Sequence, residues 1–357
     1  MKIVKRLINP AIQSLHAYHV PPAAGLMKLD AMENPYHWPD ELKQKWLAEI
    51  ENIEINRYPD PSASVLKEKI RNVMGIKKDL SIMLGNGSDE IIQIIAMALA
   101  KPERCFMTPE PGFVMYQQIS RMLSVDFKAV ALNADDFSLA RENTLATIEK
   151  EQPVLLFIAY PNNPTGNLFD REMIIEMIKK SPGLVVIDEA YHSFAGESFI
   201  DQVDEFENLL VMRTLSKSGL AGLRLGYLVG HKEWLQEFEK IRLPYNINSL
   251  TQKSTEFILD HYEVLEMQAR QICNSREKLF TSLRETGGVK VWPSVANFIL
   301  FRTLQGNAGD IHNRLKENGV LIKNLHGSHP SLDNCLRVTV GTDNENAEFL
   351  KQLQKLL

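Results

Sequence analysis

The sequence predicts an α/β fold, with a large domain built on a mostly parallel sheet between helices and a smaller C-terminal α/β domain. Three observations predict it. Short apolar runs alternate with helical patterns from about residue 81 to 230. A long helical stretch follows, from about Ser249 to Thr286. Beyond it come two more apolar runs with helical patterns of their own. At 357 residues the chain exceeds one ordinary core and fits one large domain plus a smaller one.

Residues 1–30 read as an arm ending in the loop-like VPPAAG. The strand candidates of the large domain, 31–248, are RCFMT (104–108), VDFKAVAL (125–132), VLLFIAY (154–160), LVVIDEA (184–190), NLLVMRT (208–214) and RLGYLVG (224–230). Helical patterns such as DEIIQIIAMALA (89–100) and DREMIIEMIKK (170–180) separate several of them. Strand–helix alternation means βαβ units and a sheet covered on both faces. In the small domain, 249–357, NFILFR (297–302) and CLRVTV (335–340) read as strands, covered by helices near 309–318 and 344–356.

Composition narrows the function. The chain is 44% hydrophobic and 24% charged, as soluble globular proteins are. Its net charge of -5 and the lack of a basic block exclude a nucleic-acid footprint. The pairs Lys77-Lys78 and Lys179-Lys180 read as solvated helix ends. Cys105, Cys273 and Cys335 are far apart, odd in number and outside any CxxC, which points to free thiols in a reducing compartment. No apolar run approaches the roughly 18 residues of a membrane span. The basic Lys2, Lys5 and Arg6 lack a following apolar core, so a cytoplasmic location is expected. His326 and His329 have no carboxylate or Cys partner at metal-ligand spacing and read as loop residues; no metal is expected.

The polar residues at the strand ends carry the chemistry. VLLFIAY runs into PNNPTG (161–166) and so leads to Asn163; LVVI runs into Asp188, with Tyr191 three residues on; NLLVMRT runs into Leu215, Ser216 and Lys217. In an open parallel sheet, ligands sit outside the carboxyl ends of the strands. Singly, each residue has a structural reading: Asp188 as a helix N-cap, Asn163 as an Asx-turn, Lys217 as a solvated side chain. As a set they match pyridoxal 5′-phosphate. That cofactor needs a lysine for its Schiff base, a carboxylate on its pyridine nitrogen and donors to its phenolic oxygen. Its phosphate needs an anion site. GNGSDE (85–90) opens a helix with a Gly-rich turn and the Ser88 hydroxyl, and it lacks the glycine or lysine spacing of a dinucleotide or Walker loop. A tight turn with Ser88 as N-cap is the structural alternative there. RTLSKSGLAGLRLGY (213–227) brackets Lys217 with Thr214 and Ser216 and brings Arg224 seven residues later, a side chain suited to phosphate.

Together with LDAMENPY (29–36), RYPD (57–60), VVIDEAY (185–191) and CLRVTVGT (335–342), these segments resemble the pyridoxal-phosphate aminotransferases of fold type I. Within them the chain is most similar to the histidinol-phosphate branch, in order over nearly its whole length. The resemblance implies a seven-stranded sheet and transamination of L-histidinol phosphate with 2-oxoglutarate in L-histidine biosynthesis. It implies that Lys217 binds the cofactor and shuttles a proton, and that Asp188 pairs with the ring nitrogen. Asn163 and Tyr191 would hold the phenolic oxygen. Ser88, Asp89, Thr214, Ser216 and Arg224 would hold or flank the phosphate. Phe113, in PGFVMY (111–116), would stack on the ring; without the resemblance it reads equally as core. Tyr58 would reach the phosphate from a neighbouring subunit, making the enzyme a homodimer with shared active sites. Arg337 would receive the carboxylate of glutamate or the phosphate of histidinol phosphate, helped by Tyr18 from the arm and by Lys323.

Three positions depart from the family pattern. Met32 replaces the first Asn of Asn-Glu-Asn-Pro, putting a polar contact in question. The lysine-to-arginine spacing is seven rather than the frequent eight. Lys323 stands in GVLIKN (319–324) where many relatives carry Arg, keeping the charge but losing the two-pronged geometry. Competing readings are an aromatic amino acid aminotransferase, a decarboxylase of an amino-acid phosphate on the same scaffold, and a cofactor-binding regulator without turnover. For the last, the chain has no spare length or basic helix to serve as a DNA-binding module.

Overall fold

A computed structural model describes residues 2–15, 17 and 21–357. The first short helices are Lys2–Leu7 and Pro10–Gln13, and the chain then forms β1 (Met27–Lys28). The large sheet follows as β2 (Ser81–Asn86), β3 (Cys105–Glu110), β4 (Asp126–Ala131), β5 (Leu155–Ala159), β6 (Leu184–Asp188), β7 (Leu209–Thr214) and β8 (Leu225–Gly230). Its seven strands lie in the order β2-β8-β7-β6-β5-β3-β4. All neighbours pair in parallel except β8, which runs antiparallel to both β2 and β7.

The six apolar runs of the sequence are β3 to β8. β2 is the strand that the sequence reading missed. Its residues, SIMLGN, end in the Gly85-Asn86 pair that reads as a turn, yet all six pair with β8.

Central strands are buried on both faces, which is why they read as unbroken apolar runs. Side chains alternate across the sheet with period two. Val185, Ile187, Leu209 and Val211 enter one core layer. Leu184, Val186, Leu210 and Met212 enter the other.

The helical stretch predicted over 249–286 is two helices, Ser249–Leu259 and Glu263–Thr286. The break falls at Asp260, His261 and Tyr262, residue types of mediocre helix propensity, and the second helix restarts with Glu263 and Glu266 in its first turn, where its dipole favours acids.

The C-terminal strands are β9 (Val289–Val291), β10 (Phe298–Thr303), β11 (Val320–Leu321), β12 (Lys323–Asn324) and β13 (Cys335–Thr339). Four of them form an antiparallel sheet ordered β12-β13-β10-β9. Helices Ala308–Glu317 and Asp343–Gln354 accompany it, the second opened by a capping box of Thr342 and Glu345. β11 pairs instead with β1, so the end of the arm is stitched to this region. Among the described residues, no helix is long and apolar enough to cross a membrane.

Candidate active site

The sheet topology brings the polar residues to one rim. β5 leads to Asn163, β6 ends in Asp188, and β7 leads through Thr214 to Lys217. β2 runs in the same sense as β7, so its carboxyl end delivers Gly87 and the helix Ser88–Leu99 to that rim as well. β8 is reversed, so it is its amino end, preceded by Arg224, that lies there. The one antiparallel strand is therefore what turns Arg224 towards the others. Close packing at this point requires glycines. A Cβ on Gly226 would stand 2.7 Å from the Ser88 nitrogen, and one on Gly87 would stand 2.6 Å from an Arg224 guanidinium nitrogen.

A cavity of about 540 Å³ opens at the rim, lined by Ser88, Asp89, Phe113, Asn163, Asp188, Tyr191, Thr214, Ser216, Lys217 and Arg224. All ten were singled out in the sequence. Met32, Ala159 and Ala190 complete the lining.

Asp188 is 4% exposed. One of its oxygens accepts the Tyr116 hydroxyl at 2.6 Å and the other the Ala190 N–H at 3.1 Å. Burial raises its pKa to about 6 against the pull of these two donors. The Lys217 ammonium donates to the Ala31 carbonyl at 3.1 Å. Burial, followed by the charge of Arg337, lowers its pKa to about 8. Asn163 donates to the Tyr191 hydroxyl oxygen at 3.2 Å and accepts from Arg337. Arg337, 6% exposed, also donates to the Asp30 carbonyl at 3.2 Å and sits 5.1 Å from the Phe298 ring centre.

At the other end of the cavity is an anion cradle. Thr214 donates to the Ser216 hydroxyl at 3.0 Å, and Arg224 reaches that hydroxyl at 3.5 Å and Asp89 at 3.4 Å. No side chain caps the helix that starts at Ser88, so its first N–H groups face the same place. The short lysine-to-arginine spacing does not remove Arg224 from the cradle. The loop takes up the difference as a wide helical turn at Ser216–Leu220, with Gly219 at φ +121° and Arg224 itself in the left-handed region.

Beneath the rim, Arg213 on β7 pairs with Glu189, the residue after β6, at 2.8 Å, and both are nearly inaccessible. This buried pair ties together the strand ends that carry Asp188 and Lys217.

The other predicted residues lie elsewhere. Tyr58 is 80% exposed, stacked on Tyr245 with ring centres 4.4 Å apart. Lys323 is the cross-strand neighbour of Arg337 and so shares its sheet face. Tyr18 lies outside the described residues. Met32 lines the cavity with an apolar side chain, and its polar contacts are made by its backbone: N–H to Thr339 and C=O from Asn297. It holds φ +55°, a conformation in which Asn is more at ease than Met. His326 and His329 each accept a hydrogen bond from a backbone N–H of their own loop, that of Asn334 and that of Ser331. Sequence reasoning missed Tyr116 and the carbonyls of Asp30 and Ala31. A Tyr one turn after Phe113 reads as helix core, and backbone acceptors leave no mark in a sequence.

The donor set fits pyridoxal 5′-phosphate: a buried carboxylate, a buried amine of lowered basicity and an uncapped helix start with two hydroxyls and a guanidinium. The model of the aminotransferase class I and II family matches residues 24–353. Fold and site thus define an enzyme of the pyridoxal-phosphate aminotransferase class. Histidinol-phosphate aminotransferase 2 of Nitrosococcus oceani is 52% identical over 98% of this chain and 97% of its own. Histidinol-phosphate aminotransferase 1 of Ralstonia nicotianae is 45% identical over 98% and 94%. The crystal structure of histidinol-phosphate aminotransferase from Sinorhizobium meliloti in complex with pyridoxal 5′-phosphate superposes with a TM-score of 0.86 at 23% identity, covering 98% of each chain. The chain belongs to the class I and II aminotransferases and, within them, to the histidinol-phosphate aminotransferase family.

The lowered pKa of Lys217 is open to direct measurement in the cofactor-free protein. Competitive amine labelling read by mass spectrometry is expected to titrate Lys217 near pH 8, below the ordinary lysine value of 10.5. In Arg337→Gln, which removes a cation, the midpoint is expected to rise. A wild-type midpoint at the ordinary value contradicts the burial described here.

Proposed function

We propose that the protein transfers the amino group of L-histidinol phosphate to 2-oxoglutarate, giving imidazole-acetol phosphate and glutamate, a step of L-histidine biosynthesis. The observation that carries this reading is Arg337. Its buried guanidinium is bonded to Asn163 beside the Lys217 cavity, with Lys323 next to it across the strand pair. Two neighbouring cations suit either anion that the substrates bring to this position, the phosphate of histidinol phosphate or a carboxylate of 2-oxoglutarate. Both named relatives are histidinol-phosphate aminotransferases and align over nearly the full chain, which supports the same choice.

The geometry supports the following residue roles. Lys217 holds the cofactor through its amino group. Once freed by the substrate amine, it would take the proton from the substrate Cα and return it to the cofactor's carbonyl carbon, on the far side of the transferred nitrogen. A lysine of lowered basicity suits both tasks, because it is a ready nucleophile and a base matched to near-neutral pH. Asp188 would accept the N–H of the pyridine ring and keep that nitrogen protonated. Asn163 and Tyr191 would donate to the phenolic oxygen, and Phe113 would pack on the ring. Ser88, Asp89, Thr214, Ser216 and Arg224 would hold or flank the phosphate at the helix start. Arg337, with Lys323 and Tyr18, orients the substrate tail. When bound, pyridoxal 5′-phosphate supplies an electron sink for the pair left behind as the Cα–H bond breaks.

We read 1–30 as an arm, 31–248 as the cofactor-binding domain and 249–357 as the small domain, in a cytoplasmic protein. We also read the enzyme as a homodimer, with Tyr58 of one copy reaching the phosphate site of the other. The exposed Tyr58, stacked on Tyr245, supports this reading, as do Ile55 and Leu243, exposed three and two residues from them in the chain, since large apolar side chains at a surface call for cover. Sedimentation equilibrium is expected to give twice the chain mass, and Tyr58→Ala to weaken cofactor retention. A monomer with full activity contradicts the shared site.

The functional test is a half-reaction. Histidinol phosphate added to the yellow holoenzyme, without 2-oxoglutarate, is expected to convert its absorbance to that of the pyridoxamine form. Lys217→Ala is expected to lose this conversion by a factor of at least about 10². A higher kcat/KM for phenylalanine than for histidinol phosphate would favour an aromatic aminotransferase, and CO₂ release in place of transfer would favour a decarboxylase.

A further inference from the structure

Tyr116 lies in helix Val114–Met122 and is 1% exposed. Its ring lies parallel to Phe157 with centres 4.6 Å apart and meets Phe113 edge-on at 5.4 Å. A buried phenol needs an acceptor. Its hydroxyl donates to a carboxylate oxygen of Asp188 at 2.6 Å, inside the protein and behind the cavity wall.

We propose that Tyr116 is a positioning residue, whose hydroxyl fixes the Asp188 carboxylate in place and keeps it anionic, so that Asp188 can hold the cofactor's ring nitrogen protonated. This rests on the assignment of Asp188 to that nitrogen made above.

The two donors are divided between the two oxygens, Tyr116 on one and the Ala190 N–H on the other. A carboxylate gripped on both sides cannot rotate freely, and its remaining lone pairs are left for the cavity it lines. The surroundings push the other way. Burial favours the neutral acid, as do the negative charges of Asp89, at the start of the Ser88 helix, and Glu189, next in the chain. Glu189 is itself paired with Arg213 of β7. Of the groups that favour the anion, the Tyr116 hydrogen bond is the strongest, ahead of the Ala190 N–H. A neutral Asp188 would offer an O–H and could not keep the ring nitrogen charged. Tyr116 is therefore what lets a wholly buried acid serve as an anion.

Tyr116→Phe removes one oxygen and leaves the aromatic packing intact. Apoenzyme is titrated with pyridoxal 5′-phosphate across pH by tryptophan fluorescence, with kcat and KM measured alongside. The acid-side inflection of cofactor affinity is expected to move up by about one pH unit. Affinity near pH 6 is expected to fall about tenfold, the size of a lost hydrogen bond to a charged group. Turnover is expected to fall through kcat, with KM for the amino donor little changed. In an Asp188→Asn background, where no carboxylate remains to be tuned, Tyr116→Phe is expected to have no further effect. A second variant carries 3-fluorotyrosine at position 116 alone. It keeps the hydroxyl but is the stronger donor, and is expected to move the inflection down. An unmoved inflection in both Tyr116 variants overturns the proposal, as does an equal loss from Tyr116→Phe in the two backgrounds, which is the result of packing alone. If Asp188→Asn itself keeps wild-type affinity and kcat, the assignment of Asp188 fails first and Tyr116 loses its purpose with it.

Discussion

The structure depends on keeping a negative charge at the buried end of β6. A carboxylate withdrawn from water is costly unless donors surround it. Asp188 has two, from Tyr116 and Ala190, and its elevated pKa shows that they offset burial only in part. In the proposed site a protonated pyridine nitrogen would supply the unmet remainder, so that cofactor and carboxylate would stabilise one another. The second buried charge, Glu189, is treated differently. It is closed off by Arg213 and the Ser198 hydroxyl, so that of two adjacent acids one is sealed into the framework and one is left facing the cavity.

The segment Asp30–Asn34 joins the two sheets through this site. The Asp30 carbonyl accepts from Arg337 and the Ala31 carbonyl from Lys217, so consecutive peptide groups hold a residue of the small sheet and the lysine of the large one. Three residues after Ala31, Asn34 donates to the Ser218 carbonyl and to Gln268 in the long helix. Met32, at φ +55°, is the kink that lets these successive contacts point in different directions. A backbone strap of this kind tolerates Met where relatives carry Asn, because the contacts do not pass through the side chain.

Much of this was legible from the sequence, for identifiable reasons. Strands buried on both faces appear as apolar runs, so β3 to β8 could be read directly, and residues that follow a strand's carboxyl end could be assigned to one rim. β2 escaped because its Gly85-Asn86 end reads as a turn, and its pairing with β8 is a long-range contact. The break at Asp260–Tyr262 escaped because apolar periodicity runs across it. Most of the cavity residues were found because strand ends, the lysine segment and the anion turn have local signatures, whereas Phe113, Asp89, Arg337 and Lys323 needed the family resemblance. Tyr116 had no signature at all: its apolar ring belongs to the helix core and only its oxygen reaches the site. Tyr58 is exposed in a single chain, and the role proposed for it would be a property of two chains and not of one.

In the proposed site one amine, Lys217, stands at the cofactor's carbonyl carbon while the acid at the end of β6 faces its ring nitrogen. Borohydride reduction of the holoenzyme, followed by proteolysis and mass spectrometry, reads out the first of these contacts, because it fixes the cofactor irreversibly to whichever lysine holds it. A phosphopyridoxyl group is expected on Lys217 and on no other lysine. The label on a different residue, or a cofactor that stays dialysable after reduction, would contradict this assignment.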